Sequence, residues 1–268
     1  MKTLSRVLLA MVAVALWAAA STAQEAAKGV WLLPFEVDFD SGAANGDAII
    51  GRFIPVNSFL VRDEWQLVNV ALVTVADAPG GRPGQPGNPA PVAGPKVFGL
   101  GDLTDAVLYT RKTSGGLMWG VGLGLGIPTA TDESLGSGKW QAGPAVRLAH
   151  QIGAWRLGLL ATDRWSFAGD SERADVHQLM ARGLIRRGLG TKWFFVSAPI
   201  ITANWNAASG QRWLVPLGGG IGRRFEFDPS RMNVSLQAYA NVIKPDGAPD
   251  WVARIGITFP VRIPGGTR

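Results

Sequence analysis

The chain has no cysteine, only two histidines and only two tyrosines in 268 residues. The missing thiols exclude disulfides, thiolate metal sites, a cysteine nucleophile and a lipoprotein anchor. His150 and His177 are the whole supply of imidazole, and they fall in different segments, so a histidine-centred catalytic site has little material. Long apolar runs are missing as well. After residue 23 nothing approaches the ~18–20 uninterrupted apolar residues that a membrane-crossing helix requires. Helical periodicity is equally hard to find. Glycine is abundant (35 residues), proline numbers 17, and the two together point to an all-β chain.

Residues 1–23 read as a secretory signal peptide. Lys2 and Arg6 form a positive start, Leu8 to Ala20 is apolar, and Ser21-Thr22-Ala23 supplies small residues before a cut ahead of Gln24. The rest, 24–268, reads as one large barrel or sandwich with no dividing linker. The net charge of +6 falls to +4 once Lys2 and Arg6 leave. The basic residues recur singly within strand-like segments and do not cluster with stacking aromatics, which argues against nucleic acid as a partner.

Six segments alternate apolar against polar or small residues, so each set lies on one face of a strand. The clearest are 117–127, 139–150, 155–167, 232–242 and 251–262; 212–224 is similar but Gly-rich. The segments 49–61, 65–76, 98–111, 174–187 and 193–205 are strand-like but mixed. With 30–38 added, about twelve strands are expected. Asp163 is a misfit on the apolar face of its strand. Short turns follow every second strand. The remaining connections are mostly longer and acidic, the longest running from Asp77 to Lys96 with six prolines and five glycines.

Tryptophan is the abundant aromatic relative to tyrosine, and ten of its eleven copies sit where strand-like segments begin or end. Trp155 and Trp165 are ten residues apart, and Trp193 and Trp205 are twelve apart. A tilted membrane strand needs roughly 9–11 residues to cross the hydrocarbon layer. Indole rings favour both headgroup interfaces, so Trp119, Trp140, Trp155, Trp165, Trp193, Trp205, Trp213 and Trp251 are expected to form two interfacial belts. The polar face carries Lys139, Arg147, Arg156, Arg164, Arg212 and Arg254 with Gln141, Asn233, Gln237 and Asn241, while most acids lie in loops. A solvated sandwich face usually carries both charge signs, so the pattern favours a closed transmembrane antiparallel up-and-down β-barrel whose apolar face points to lipid. Short turns and both termini are expected in the periplasm.

Several stretches resemble one family of bacterial outer-membrane proteins. They are Phe98-Gly-Leu-Gly-Asp102, Trp119-Gly-Val-Gly, Ile127-Pro-Thr-Ala-Thr-Asp-Glu-Ser-Leu-Gly-Ser-Gly-Lys-Trp140, Trp165-Ser-Phe-Ala-Gly-Asp-Ser-Glu-Arg-Ala-Asp175, Ala198-Pro-Ile-Ile-Thr-Ala-Asn-Trp205, Arg212-Trp-Leu-Val-Pro-Leu-Gly-Gly-Gly220 and 236–251. Members are labelled transporters or "meta-pathway of phenol degradation" proteins, and some carry a mistaken neuromedin U label. The resemblance implies an outer-membrane barrel with a transport role and no established catalytic residues. The chain departs from it in a longer Pro/Gly-rich loop from Pro79 to Pro95 and in a tail, Pro260 to Arg268, past the expected aromatic end at Phe259.

The ten polar-face residues are the candidate lumen lining. A ring of cations biases a pore toward anions; alternatively they pair with inward or loop carboxylates and fill the interior. Inward glycines at 120, 122, 124, 126, 218, 220 and 222 either keep the lumen open, admit a loop, or accommodate strand curvature. Gly136-Ser-Gly-Lys139 lacks the flanks of a phosphate loop. Asp170, Glu172 and Asp175 fit no calcium-loop spacing. No catalytic residue, metal or cofactor is expected. The expected function is a passive outer-membrane channel in a Gram-negative cell for small solutes, anionic or aromatic ones among them. The alternatives are a plugged structural or adhesion barrel and a barrel-embedded lipid-acting enzyme, the last only if a Ser or Asp lies beside His150 or His177. Expected partners are outer-membrane lipid and lipopolysaccharide, the barrel-assembly machinery and a small-molecule solute.

Overall fold

Strict alternation over ten or more residues gives each strand one greasy and one polar side, and strands in lipid must pair on both edges to satisfy their backbone. A computed structural model describes residues 30–79, 95–227 and 230–262, and it resolves this requirement by closure. The strands are β1 (Val30–Ser41), β2 (Ala48–Phe53), β3 (Val56–Arg62), β4 (Trp65–Pro79), β5 (Lys96–Leu100), β6 (Leu103–Lys112), β7 (Met118–Ile127), β8 (Lys139–Ile152), β9 (Trp155–Gly169), β10 (His177–Leu189), β11 (Trp193–Ser197), β12 (Ile200–Asn204), β13 (Trp213–Phe227), β14 (Ser230–Ile243) and β15 (Trp251–Arg262). Neighbours pair antiparallel, and β1 closes on β15 from Val30↔Arg262 to Ser41↔Trp251. Among the described residues there is no helix long and apolar enough to cross a membrane.

The fifteen strands make twelve spans, because β2–β3, β5–β6 and β11–β12 are each one span broken near its middle. The sequence reads these spans as continuous, and the breaks have local causes. Pro55 and Pro199 lack the N–H that a ladder needs and interrupt pairing. At Gly101-Asp102 the aspartate side chain accepts from the following loop instead (Ala130 N, Ser137 N and Ser137 Oγ). Strand also extends beyond the expected bounds at the long connection. Asp77, Ala78 and Pro79 pair with Phe98, Val97 and Lys96, so the loop is shorter than 77–96; its centre, like the signal peptide and the end of the tail, lies outside the described residues.

The apolar face points outward. Val121, Leu123, Val146, Leu148, Leu217, Ile221 and Leu236 are exposed, while Lys139, Gln141, Thr162, Arg164, Gln178, Gln237, Asn241 and Arg254 are buried inside. On β9 the parity separates outward Trp155, Leu157, Leu159 and Trp165 from inward Arg156, Thr162 and Arg164. All short turns among the described residues lie at one end of the barrel with Val30 and Arg262, and the longer connections lie at the other. One correction concerns the acids. Glu36 and Asp38, on β1, are buried and face inward, so the interior is not purely basic.

Candidate functional site: the barrel interior

A continuous charge network crosses the interior. The Arg254 Nε–H donates to Asp38 Oδ1 at 2.7 Å and one terminal amine donates to Oδ2 at 2.9 Å, while the other reaches the Ala198 carbonyl at 2.6 Å. Arg52 also donates to Asp38. Glu36 accepts from Arg182 and lies 3.5 Å from Arg254. The Tyr239 hydroxyl accepts from Ala198 N at 2.8 Å and donates to Gln237 Oε1 at 2.5 Å. The break at Ala198-Pro199 frees backbone atoms there, and Arg254 and Tyr239 bond to Ala198. The network thus ties β1, β2, β10, β14 and β15 to the β11–β12 break.

Two spaces lie along the axis on the long-loop side of the short-turn end. A cavity of about 200 Å³ near the long-loop mouth is lined by Arg52, Thr74, Asp102, Gln141, Arg164, Gln178, Tyr239, Asn241 and Arg254 with Leu72, Met180, Leu214 and Val252. A cavity of about 30 Å³ adjoins it, bordered by Ile54, Val70, Leu72, Ala106, Leu160, Met180 and Ile200 together with Asp105, Arg164 and Arg182. It has room for about two waters. Residues 128–138 fold against the mouth. Asp102 binds Ser137 and Ala130, Leu100 N donates to Thr131 Oγ1 at 2.9 Å, and Leu135 packs on the inner cluster Ala48, Ile50, Ala76 and Ala78. Within this loop the Ser134 hydroxyl and backbone N–H hold the Asp132 carboxyl below the ordinary aspartate range. Gly136-Ser-Gly-Lys139 is part of this loop.

A third cavity, of about 170 Å³, opens at the short-turn end and is lined by Gln151, Arg156, Arg186, Lys192, Phe194 and Arg224, among others. Among the described residues none of Arg156, Arg186 and Arg224 is in an ion pair with a carboxylate. Arg156 donates to Gln151 Oε1 at 3.4 Å, and Arg186 lies over the Phe194 ring at 3.6 Å.

The structure distributes the ten sequence-derived lining residues over these zones. Arg254 sits in the network, and Gln237 bonds to Tyr239 at its edge. Lys139 lies 3.4 Å from Asp175 at the long-loop mouth, and Asn241 donates to the Pro249 carbonyl at 2.8 Å. Arg164 and Gln141 line the cavity of about 200 Å³; Arg164 donates to Leu125 O at 3.1 Å, while its Nε, Gln141 Oε1 and an amine of Arg147 have no protein partner among the described residues. Arg156 and Asn233 belong to the short-turn end. Arg212 is the exception: it precedes β13, is exposed, and donates to the Ala207 carbonyl at 2.9 Å, so it sits in a loop rather than on the barrel wall.

The inward glycines do not leave open space. Thr110 leans over Gly120, Thr162 and Arg164 over Gly124, and Gln141 over Gly126; a Cβ at Gly222 would meet the Phe194 ring at 2.3 Å. Sequence reasoning missed Glu36, Asp38, Arg52, Arg182, Arg186 and Arg224. The signal for the first two was present: Phe35, Val37 and Phe39 alternate with Glu36 and Asp38. Arg186-Arg187 and Arg223-Arg224 are adjacent pairs, and a period of two sends one member of each inward.

On the outer wall, Trp140, Trp165, Trp213 and Trp251 are exposed near the long-loop end, and Trp155 and Trp193 near the short-turn end. Trp119 is half-buried against Trp65, which stacks on Tyr109 at 4.4 Å. Trp205 is half-buried, with its indole N–H donating to Asp163 Oδ1 at 2.9 Å. Asp163 therefore has partners despite its outward position; His177 Nε2 lies 3.4 Å from its other oxygen. Neither nitrogen of His177 has a serine or threonine hydroxyl as hydrogen-bond partner among the described residues. The described residues also contain no cluster of three metal-ligating side chains.

A closed antiparallel barrel with a greasy outside, a polar inside and unequal ends has the architecture of an outer-membrane barrel. No family model matches the sequence, and no curated protein does. Among solved structures the chain is similar to an outer-membrane channel from Pseudomonas putida F1, with a TM-score of 0.62 and 14% identity over 88% of this chain and 96% of that one. It also matches the β domain of a Bordetella autotransporter, with a TM-score of 0.46 and 12% identity over 87% of this chain and 99% of that one. The first likeness establishes the fold; the second carries no argument.

Proposed function

We propose that the protein is a channel of the bacterial outer membrane that passes small solutes passively and favours anions. Short turns and both termini face the periplasm in this reading, lipid and lipopolysaccharide surround the Trp belts, and the barrel-assembly machinery inserts the chain. In this reading the protein carries out no chemistry of its own. The observation that carries the reading is the uncompensated cationic lining of the short-turn half, since fixed positive charge in a narrow path raises the local anion concentration. The family resemblance adds aromatic compounds, and carboxylated rings would satisfy both clues. The test is the reversal potential of the refolded chain in a planar bilayer under a salt gradient. Steady conductance with anion preference is expected; cation preference, or silence from verified folded protein, overturns the reading.

A second reading has its own observation. The ion pairs that Glu36 and Asp38 make with Arg52, Arg182 and Arg254 occupy part of the interior and suit a plugged structural barrel. Silence in the bilayer would support it.

A further inference from the structure

We infer that Arg156, Arg186 and Arg224 form a binding site for a multiply charged phosphoryl anion at the short-turn end of the lumen. Arg156 and Arg186 are directly opposite on β9 and β10, which places their Cβ atoms about 5 Å apart. Arg186 crosses over Phe194 and donates to Asn233 Oδ1 at 3.3 Å. Asn233 is itself directly opposite Arg224 on β13 and β14, so the Arg186 side chain reaches the position facing Arg224. Gly222, beneath the Phe194 ring, is what allows this crossing, because any side chain there would displace the ring.

Like charges held face to face are destabilising. Elsewhere in the interior this chain answers Arg52, Arg182 and Arg254 with Glu36 and Asp38. Here it answers nothing. Glu226, two residues beyond Arg224 on the same face, forms no ion pair with the three arginines among the described residues. A single negative charge would leave the group under-neutralised, whereas a phosphoryl group presents several oxygens that guanidinium forks match in pairs. The cavity of about 170 Å³ has room for it.

Two sources could supply such a group, a soluble phosphoanion or a phospholipid headgroup. Trp155 and Trp193 border the cavity at its rim, and the direction of the arginine side chains separates the two sources. Arg187 lies 5.1 Å from the outward Trp155 ring and Arg223 lies 5.5 Å from the outward Trp193 ring, which sets that pair at the level of lipid headgroups. The inward trio faces the lumen, so the site takes the soluble anion. Its delivery through the barrel rests on the channel reading; the site itself needs no current.

The test is calorimetric titration of the refolded full chain, in nonionic detergent, with inorganic pyrophosphate. Saturable binding that weakens with added salt is expected. Replacing Arg186→Gln or Arg224→Gln should weaken it by roughly tenfold or more each, while Arg186→Lys should keep part of it. Arg187→Gln with Arg223→Gln should leave it unchanged. Folding is checked for every variant by heat-modifiable gel mobility, and the two single variants substitute for each other if one misfolds. No saturable binding to folded wild-type chain overturns the proposal, as does binding indifferent to both Arg186→Gln and Arg224→Gln. Loss in the Arg187/Arg223 double variant, or displacement of pyrophosphate by phosphatidylglycerol added to the micelles, overturns the soluble source. Binding without bilayer current would leave the site standing and sink the channel; current without binding would do the reverse.

Discussion

Deeper in the barrel Arg52, Arg182 and Arg254 each face Glu36 or Asp38; at the short-turn end Arg156, Arg186 and Arg224 face no carboxylate. Both groups are inward arginines on the same barrel, yet their partners make them different devices. The paired set is almost dry: Arg254 and Asp38 are 4% and 2% exposed on the adjacent strands β15 and β1, while the Arg182–Glu36 bond joins β10 to β1, which is not its neighbour in the sheet. The unpaired set stays partly open to solvent, where water pays part of the solvation cost, and its field reaches outward. The difference teaches that counting inward cations says little about selectivity until each one's counter-charge is known.

The comparison breaks most visibly at Asp38. Asp38→Ala strands Arg254 and Arg52 without their shared acceptor, and an uncompensated buried charge costs about 3–5 kcal/mol. Urea unfolding of the chain refolded into lipid should show that loss. If stability holds, the network is not structural and the contrast with the short-turn end collapses. Next in size is Asp102→Ala, which removes the acceptor for Ser137 and Ala130 at the mouth. A loss of about 1–3 kcal/mol is expected, with faster proteolysis inside 128–138.

Arg186→Gln sharpens the comparison from the other side. It should change stability by no more than about 0.5 kcal/mol, yet move the reversal potential measurably toward zero. Equal effects of Arg186→Gln and Asp38→Ala on stability would erase the distinction. The smallest effect is local to the long-loop mouth. Donation from Ser134, first by its hydroxyl and then by its backbone N–H, lowers the Asp132 pKa. The ionised carboxylate is therefore favoured in the fold; this contribution is present above the ordinary aspartate pKa and is lost as pH falls through the depressed one. Ser134→Ala should raise the Asp132 titration midpoint toward its ordinary value, read by NMR of the carboxyl carbon.

Much of the architecture was legible. The alternations of 139–150, 155–167 and 251–262 set which side chains face lipid, and the rhythm of short and long connections set the count of twelve spans. The breaks at Pro55, Gly101-Asp102 and Pro199 were not read, though the prolines advertise two of them. Of the lumen residues, Arg156, Arg164 and Arg254 were reached because they sit on clean period-two strands. Arg182 and Arg186 were not, because Met180 and Leu184 share the inward parity of β10 and blur its pattern.

The sequence by itself determined the all-β class, the closed barrel, the outward apolar wall and the inward arginines, because side-chain direction in a strand follows from local parity alone. Only the tertiary structure decided which arginine meets a carboxylate, and that residues 128–138 latch onto Asp102. Those outcomes depend on which strands lie opposite one another across the barrel and at what height. That geometry joins Glu36 to Arg182 across 146 positions of chain, beyond the reach of any local pattern.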